Sequence, residues 1–255
     1  MKREDPAFAE SAESLRRDGF AFAQGEAFRS ALSSVGGVAD WPAFAASWNN
    51  LALDTHLPDG HRYRRRRHGT FSARAGEDAF RREAHRPHYQ GLEYNRLVGG
   101  LERWFEPIEP SVASGASFGA VVRYGLRLYG ALRAGVDWHI EAHQFRIEAR
   151  PDAAGLPTPE GVHRDGVDYV TVMLVDRVNI ASGTTTMHAP DGRLLGSFTL
   201  ERAGDAALVD DARVMHGVTP VLPVHASRPA WRDVLVVTYR ETSPGTAPRP
   251  SAPST

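Results

Sequence analysis

The stretch DYVTVMLVDRVNIASGTTTMHAPDGRLLGSFTLERAGDAALVDDARVMHGV, residues 168–218, reads as a succession of short strands. Its candidates are Asp168–Val175, Thr184–Ala189, Leu194–Leu200, Ala206–Asp210 and Val214–Val218, separated by turn residues. The Asp191-Gly192 pair sits between two of these runs and is a hairpin signal, because glycine accepts the positive φ that a tight turn demands. Outward from this stretch, Val136–Ala149 adds a strand before it and Asp233–Arg240 one after it. Seven short strands within about a hundred residues predict a sandwich or jelly roll.

The preceding half is mixed, so the fold class expected is mainly β (α+β), with N-terminal helices packed on the outside of the jelly roll. Short helices are expected over Asp5–Arg17, Glu26–Ser34 and Trp41–Asn49, an edge strand over Gly19–Ala23, and strand-like alternation around Tyr63. A helix is expected between Tyr94 and Phe105, although Gly99 and Gly100 cost it about 1 kcal/mol each relative to alanine. Phe118, Val121, Val122, Leu126, Tyr129 and Leu132 recur at helical spacing from a start near Ser111, and Gly135 ends that run, which is read as a core-packing helix.

At 255 residues, one domain is expected over 1–242, with a helical and edge-strand part at 1–135 and the jelly-roll core at 136–242. Residues 243–255 are rich in Pro, Ser, Thr and Ala and are expected to be a disordered tail. A formal charge of −1 gives no general attraction for nucleic acid or an anionic membrane. The absence of cysteine excludes disulfides, thiolate nucleophiles and thiolate-bound zinc or iron–sulfur clusters. The first twenty residues carry charge where a signal peptide needs an apolar run, and no later stretch approaches the ~20 apolar residues of a membrane span, so a cytoplasmic location is expected.

Two residues of PTPEGVHRDGVDY, His163 and Asp165, alternate along an extended segment and so project to one side. A His-x-Asp pair alone carries little weight. A third ligand is available in RVMHGVTPV, where His216 lies 51 residues beyond Asp165 at a strand edge. Two imidazoles and one carboxylate make the facial triad that holds non-haem Fe(II) and leaves positions open for a co-substrate and oxygen. Further on, Arg232, Thr238 and Arg240 share a strand face and can point inward together. A buried guanidinium needs an anionic partner, and its fork suits a carboxylate such as that of 2-oxoglutarate.

EGVHRDG, MHGVTPV and RDVLVVTYR resemble the 2-oxoglutarate/Fe(II) dioxygenase family that includes bacterial free-amino-acid hydroxylases of the isoleucine hydroxylase type and BsmA-type proteins. The likeness continues upstream through RYRRRRHGTFS, HYQGLEYNRLVGGLERWFEP and HQFRIEA, so it covers most of the chain. It implies a double-stranded β-helix with Fe(II) on His163, Asp165 and His216. It also implies 2-oxoglutarate on Arg232, with Arg228 as a substitute, O2 as the oxidant, and hydroxylation of a small metabolite, a free L-amino acid or a derivative.

Other residues leave alternatives open. His139, Glu141 and His143 alternate on one strand face and form either a second metal stripe or a polar face. HRYRRRRH, residues 61–68, reads as a solvated edge, a grip on nucleic-acid phosphates, or a source of an arginine such as Arg64 for a substrate carboxylate. Gln144 and Arg146, opposite to His143, are candidates for lining the pocket, and Asp168 for holding an ammonium group. Asp210 and Asp211 read as a solvated turn. The functional alternatives are a jelly-roll metalloenzyme without 2-oxoglutarate, a demethylase of alkylated nucleic acid, and a non-catalytic binding protein.

Overall fold

The computed structural model describes residues 6–57, 62–95 and 97–242; the expected tail at 243–255 and His61 lie outside the described residues. The chain opens with α1 (Pro6–Asp18), β1 (Phe20–Ala23), α2 (Gly25–Val35), α3 (Trp41–Ala46) and a 3-10 turn (Ser47–Asn50). Next come β2 (Ala52–Leu53), β3 (Arg64–Ala73), β4 (Phe80–Arg82), α4 (Pro110–Ala113) and α5 (Ala116–Leu132). The strand-rich part runs β5 (Asp137–Ala149), β6 (Tyr169–Val178), β7 (Ile180–Ser182), β8 (Thr184–His188), β9 (Leu194–Thr199), β10 (Ala206–Asp210), β11 (Met215–Val218), β12 (Val221–Pro223) and β13 (Ala230–Thr242).

The larger sheet has the order β1-β10-β6-β13-β5-β3-β2, with β4 added to β3; β11-β8-β9 and β12-β7 form two smaller sheets. Met187 of β8 packs with Val170, Ala207 and Val209 of the larger sheet, closing the smaller layer over it as a jelly roll. Strand alternation divides the larger sheet into two buried faces. Leu235, Val237 and Tyr239 of β13 and Trp138, Ile140 and Ala142 of β5 join the helices in the main core, whereas Val234 and Val236 face the interior of the roll. Tyr239 donates its hydroxyl to the Val122 carbonyl of α5, 3.0 Å away, and its ring packs where Gly125 has no side chain. A Cβ at Gly125 would lie 2.2 Å from the Tyr239 oxygen, so the helix approaches the sheet closely only because glycine is there.

Two expectations are corrected. The helix expected near Ser111 is split into α4 and α5, because Asp40 accepts the backbone N–H and the hydroxyl of Ser117 at 2.8 and 2.5 Å and fixes a new helix start. The helix expected between Tyr94 and Phe105 is absent among the described residues, which form turns there. Asn95 Oδ1 accepts the N–H groups of Leu97 and Val98, a local competitor to helical bonding, and Gly100 takes φ +76°. This turn-rich segment becomes a wall of the cavity that His163, Asp165 and His216 also line. The short strands β2, β4, β7 and β12 went unread, each being two or three residues long.

Candidate metal centre

His163 and Asp165 lie between β5 and β6, and His216 lies on β11. The segment carrying His163 pairs directly with β11: each of the two histidines donates its backbone N–H to the other's carbonyl at 2.9 Å. This bridge brings the side chains together. His163 Nε2 is 3.6 Å from Asp165 Oδ1, His216 Nε2 is 3.7 Å from Asp165 Oδ2, and one ligand atom from each residue lies within 4.8 Å of the others.

The donor set fits a divalent cation on its own chemistry. His163 Nδ1 lies 3.0 Å from the Gly161 carbonyl, which only accepts, so Nδ1 carries a proton and Nε2 is the nitrogen turned to the site. Burial opposes charge on His163, yet Asp165 and Glu160 outweigh it and raise its pKa to about 9. The His163 Nε2 position therefore favours positive charge. Burial and the neighbouring His163 lower His216 to about 4, which keeps its imidazole neutral, the form that binds a metal. Burial resists ionisation of Asp165, but the two histidines overcome this and hold it near 2, as an anion.

Asp211 corrects the solvated-turn reading. It is 1% exposed, and its carboxylate accepts the backbone N–H groups of Asp165, Gly166 and Val167 at 2.9, 2.8 and 3.2 Å. Gly166 takes φ +79° at this clamp, and a Cβ there would meet the Tyr94 ring at 2.5 Å. Asp211→Ala leaves three N–H groups without their acceptor, a penalty of ~1–3 kcal/mol for an unmet buried group. Iron affinity is expected to fall ~10- to 100-fold, as for partners that orient metal ligands, with a lowered melting temperature. Chelator competition and a thermal melt check this, and unchanged values for both would remove Asp211 from the centre.

The three side chains open into a cavity of about 510 Å³, a size that suits small molecules. Register decides what faces it. Residues Arg232, Val234, Val236, Thr238 and Arg240 of β13 pair with Ile147, Phe145, His143, Glu141 and His139 of β5, and all ten line the cavity. Arg232 is 2% exposed, and its Nε and Nη2 have no hydrogen-bond partner. Burial, with Arg177 behind it, lowers its pKa to about 10, so it remains a cation lacking an anion. Thr238 is buried with its hydroxyl 3.5 Å from the Glu141 carbonyl, and Arg240 is exposed at the cavity margin.

The arginine run of β3 is divided by the same alternation. Arg64 and Arg66 line the cavity, while Arg65 pairs with Glu148 and Arg67 donates to the Asn50 and Pro107 carbonyls. Arg64 is tied to Asp54 at 2.7 Å. The stripe His139/Glu141/His143 is a polar strand face turned into the cavity.

Four sequence candidates stand elsewhere. Gln144, fully buried, donates to Ser47 Oγ at 2.9 Å on the opposite sheet face, and Arg146 on that face pairs with Asp233 at 2.7 Å. Asp168 accepts from Arg133 and from the Glu241 N–H, both at 2.7 Å. Arg228 is exposed beside Asn179 and Trp231, in a separate depression. None of these four lines the cavity that His163, Asp165 and His216 line. Sequence reasoning singled out none of Arg103, Gln90, His88 and Glu160, although all four lie inside the stretches that carry the family likeness, because nothing local shows that their side chains turn into the cavity.

Comparison with known proteins extends these observations. A family model described as 2OG-Fe dioxygenase matches residues 45–238. A 3(1)-hydroxy-L-isoleucine 4-dioxygenase of Pantoea ananatis (strain AJ13355) is 25% identical over 247 residues, covering 93% of this chain and 98% of that protein. The crystal structure of a BsmA homologue from Methylobium petroleophilum PM1 superposes with TM-score 0.82 at 38% identity, covering 93% of this chain and 94% of that one. IDO from Bacillus thuringiensis shares the fold at TM-score 0.75 and 19% identity, covering 95% of this chain and 99% of its own.

Proposed function

The chain belongs to the 2OG-Fe dioxygenase family, and from that premise we propose that it hydroxylates a small free L-amino acid or a close derivative in the cavity beside His163, Asp165 and His216. Its cofactors are Fe(II), 2-oxoglutarate and O2. When bound, they supply an oxidant able to hydroxylate an unactivated C–H bond, with succinate and carbon dioxide as co-products. The observation that carries the reading is one cavity holding both a His/Asp/His donor set and a buried guanidinium without an anion.

In this reading the three ligands hold Fe(II), and Asp211 keeps the Asp165 loop in place. Arg232 receives the distal carboxylate of 2-oxoglutarate, with Thr238 and Arg240 farther along the same strand face. Val234 and Val236 form an apolar wall between them, limiting water around the charged co-substrate. Arg64, fixed by Asp54, shapes the substrate end. The amino-acid assignment rests on the relative named for an isoleucine derivative and on the charges lining the cavity.

Nucleic acid is not part of the proposal, since the formal charge is −1 and Arg64 and Arg66 point inward. The proposal places the reaction in the cytoplasm; among the described residues no helix is long and apolar enough to cross a membrane. Succinate release is measured with iron and 2-oxoglutarate against each free L-amino acid, and against methylated oligonucleotides at two salt concentrations. Stimulation by at least one amino acid is expected; stimulation only by oligonucleotides, lost at high salt, would overturn the substrate class.

A further inference from the structure

Across the cavity stands a second group of titratable side chains, His68, His88, Glu141 and His143, whose ligand atoms also lie within 4.8 Å of one another. Its hydrogen bonds speak against a second metal. Arg66 Nη2 lies 2.9 Å from His143 Nδ1, and because a guanidinium only donates, His143 Nδ1 is the acceptor and its proton sits on Nε2. That Nε2 faces Glu141 at 3.7 Å carrying a proton rather than a free lone pair. His68 Nε2 and His88 Nδ1 approach one oxygen of Glu141 at 3.1 and 2.5 Å, and His139 Nε2 approaches the other at 3.3 Å. Three imidazoles thus donate to a single carboxylate.

The hub leaves charge unsatisfied. Burial holds His68, His88 and His143 below the usual imidazole range, so they are neutral donors. Burial resists the Glu141 anion, but those contacts hold its carboxyl well below the ordinary range, so it carries a full negative charge. Three donors also leave part of the acceptor capacity of a carboxylate unused. On the other side of His143, Arg66 is 4% exposed, lies over the rings of Phe105 and Phe145 at 3.8 and 4.6 Å, and keeps its Nε without a partner. Arg103, 2% exposed, also has an unpartnered Nε, while its Nη2 donates to Gln90 Oε1 at 3.0 Å. Gln90 in turn donates to the Asp165 carbonyl, which ties this end of the cavity to the metal-ligand loop.

We propose that Arg66, supported by Arg103, receives the carboxylate of the substrate while Glu141 receives its ammonium group, so that the Arg66–His143–Glu141 array recognises a zwitterion. The inference rests on the amino-acid reading above and adds the residues that select for it. A buried cation and a buried anion separated by one neutral imidazole complement both charges of an α-amino acid. A ligand lacking either charge leaves one of them desolvated without a partner.

The test uses the full chain loaded with iron and 2-oxoglutarate under argon. The free L-amino acid that best stimulates succinate release is compared by calorimetry with its decarboxylated amine and its deaminated acid. The unsubstituted protein is expected to bind each analogue at least ~10-fold more weakly, the value of one charge-assisted contact. In Arg66→Gln the preference over the amine should collapse towards one while that over the deaminated acid persists, and Glu141→Gln should show the reverse. A purely structural role would weaken all three ligands by the same factor. Equal affinities in the unsubstituted protein would overturn the inference even if neither variant folds, and so would variants that keep both preferences. If no free amino acid stimulates succinate release, the amino-acid reading itself fails, an outcome distinct from the other two.

Discussion

Asp165→Ala is expected to purify without iron and to release no succinate above the level of buffer. The carboxylate stands between two imidazoles, 3.6 Å from one and 3.7 Å from the other, and is the only anion of the proposed ligand set. Its loss leaves two neutral donors and removes the charge that draws a divalent ion into a buried place. The fold should survive, because the cores on both sides of the larger sheet are built from strand and helix residues that do not include Asp165. Elemental analysis and a thermal melt on one preparation check both halves. Stoichiometric iron in this variant would displace the centre from His163, Asp165 and His216, and the hub around Glu141 would then have to be tested for metal.

Arg232→Ala should act on the co-substrate and spare the metal. The guanidinium is 2% exposed with two nitrogens unpartnered, so it is costly to hold in the absence of an anion. Truncation removes a charge-assisted contact, and 2-oxoglutarate affinity should fall by about 2 kcal/mol or more, roughly 30-fold. The ligand-free variant should melt no earlier than the parent, because an uncompensated buried charge has gone. The stabilisation that 2-oxoglutarate gives the parent by binding its folded state should largely vanish at the same ligand concentration. Unchanged 2-oxoglutarate affinity would sink the role of Arg232, and the exposed position of Arg228 offers no replacement inside the cavity.

The legible part of the fold was the part written in alternation. The strands from Val136 to Arg240 fell within a few residues of their observed limits, because each longer strand has its own period and turn residues. That the His-x-Asp pair and the distant histidine come together was legible for a similar reason, since local spacing sets two of the side chains and only one strand pairing is needed for the third. The choice of face was not legible. Gln144 and Arg146 lie opposite to the cavity, but helices cover the outer face of the sheet, so both sides of β5 are buried and polarity does not tell them apart. Asp211 failed differently. Its sequence neighbours are those of a turn, while its partners are backbone N–H groups 44 to 46 residues earlier, which no local pattern records.

The mutual backbone pairing of His163 and His216 bears on metal exchange. Because each amide is bonded to the other's carbonyl, the ordering entropy of bringing these two donors together is met when the chain folds, not when an ion arrives. An ion entering the site has little backbone to rearrange, and one leaving it does not release the two segments. Metals of similar size and ligand preference can therefore replace one another without a folding step between them. Selection among them then rests on the donor types and their geometry and on supply, not on a folding step.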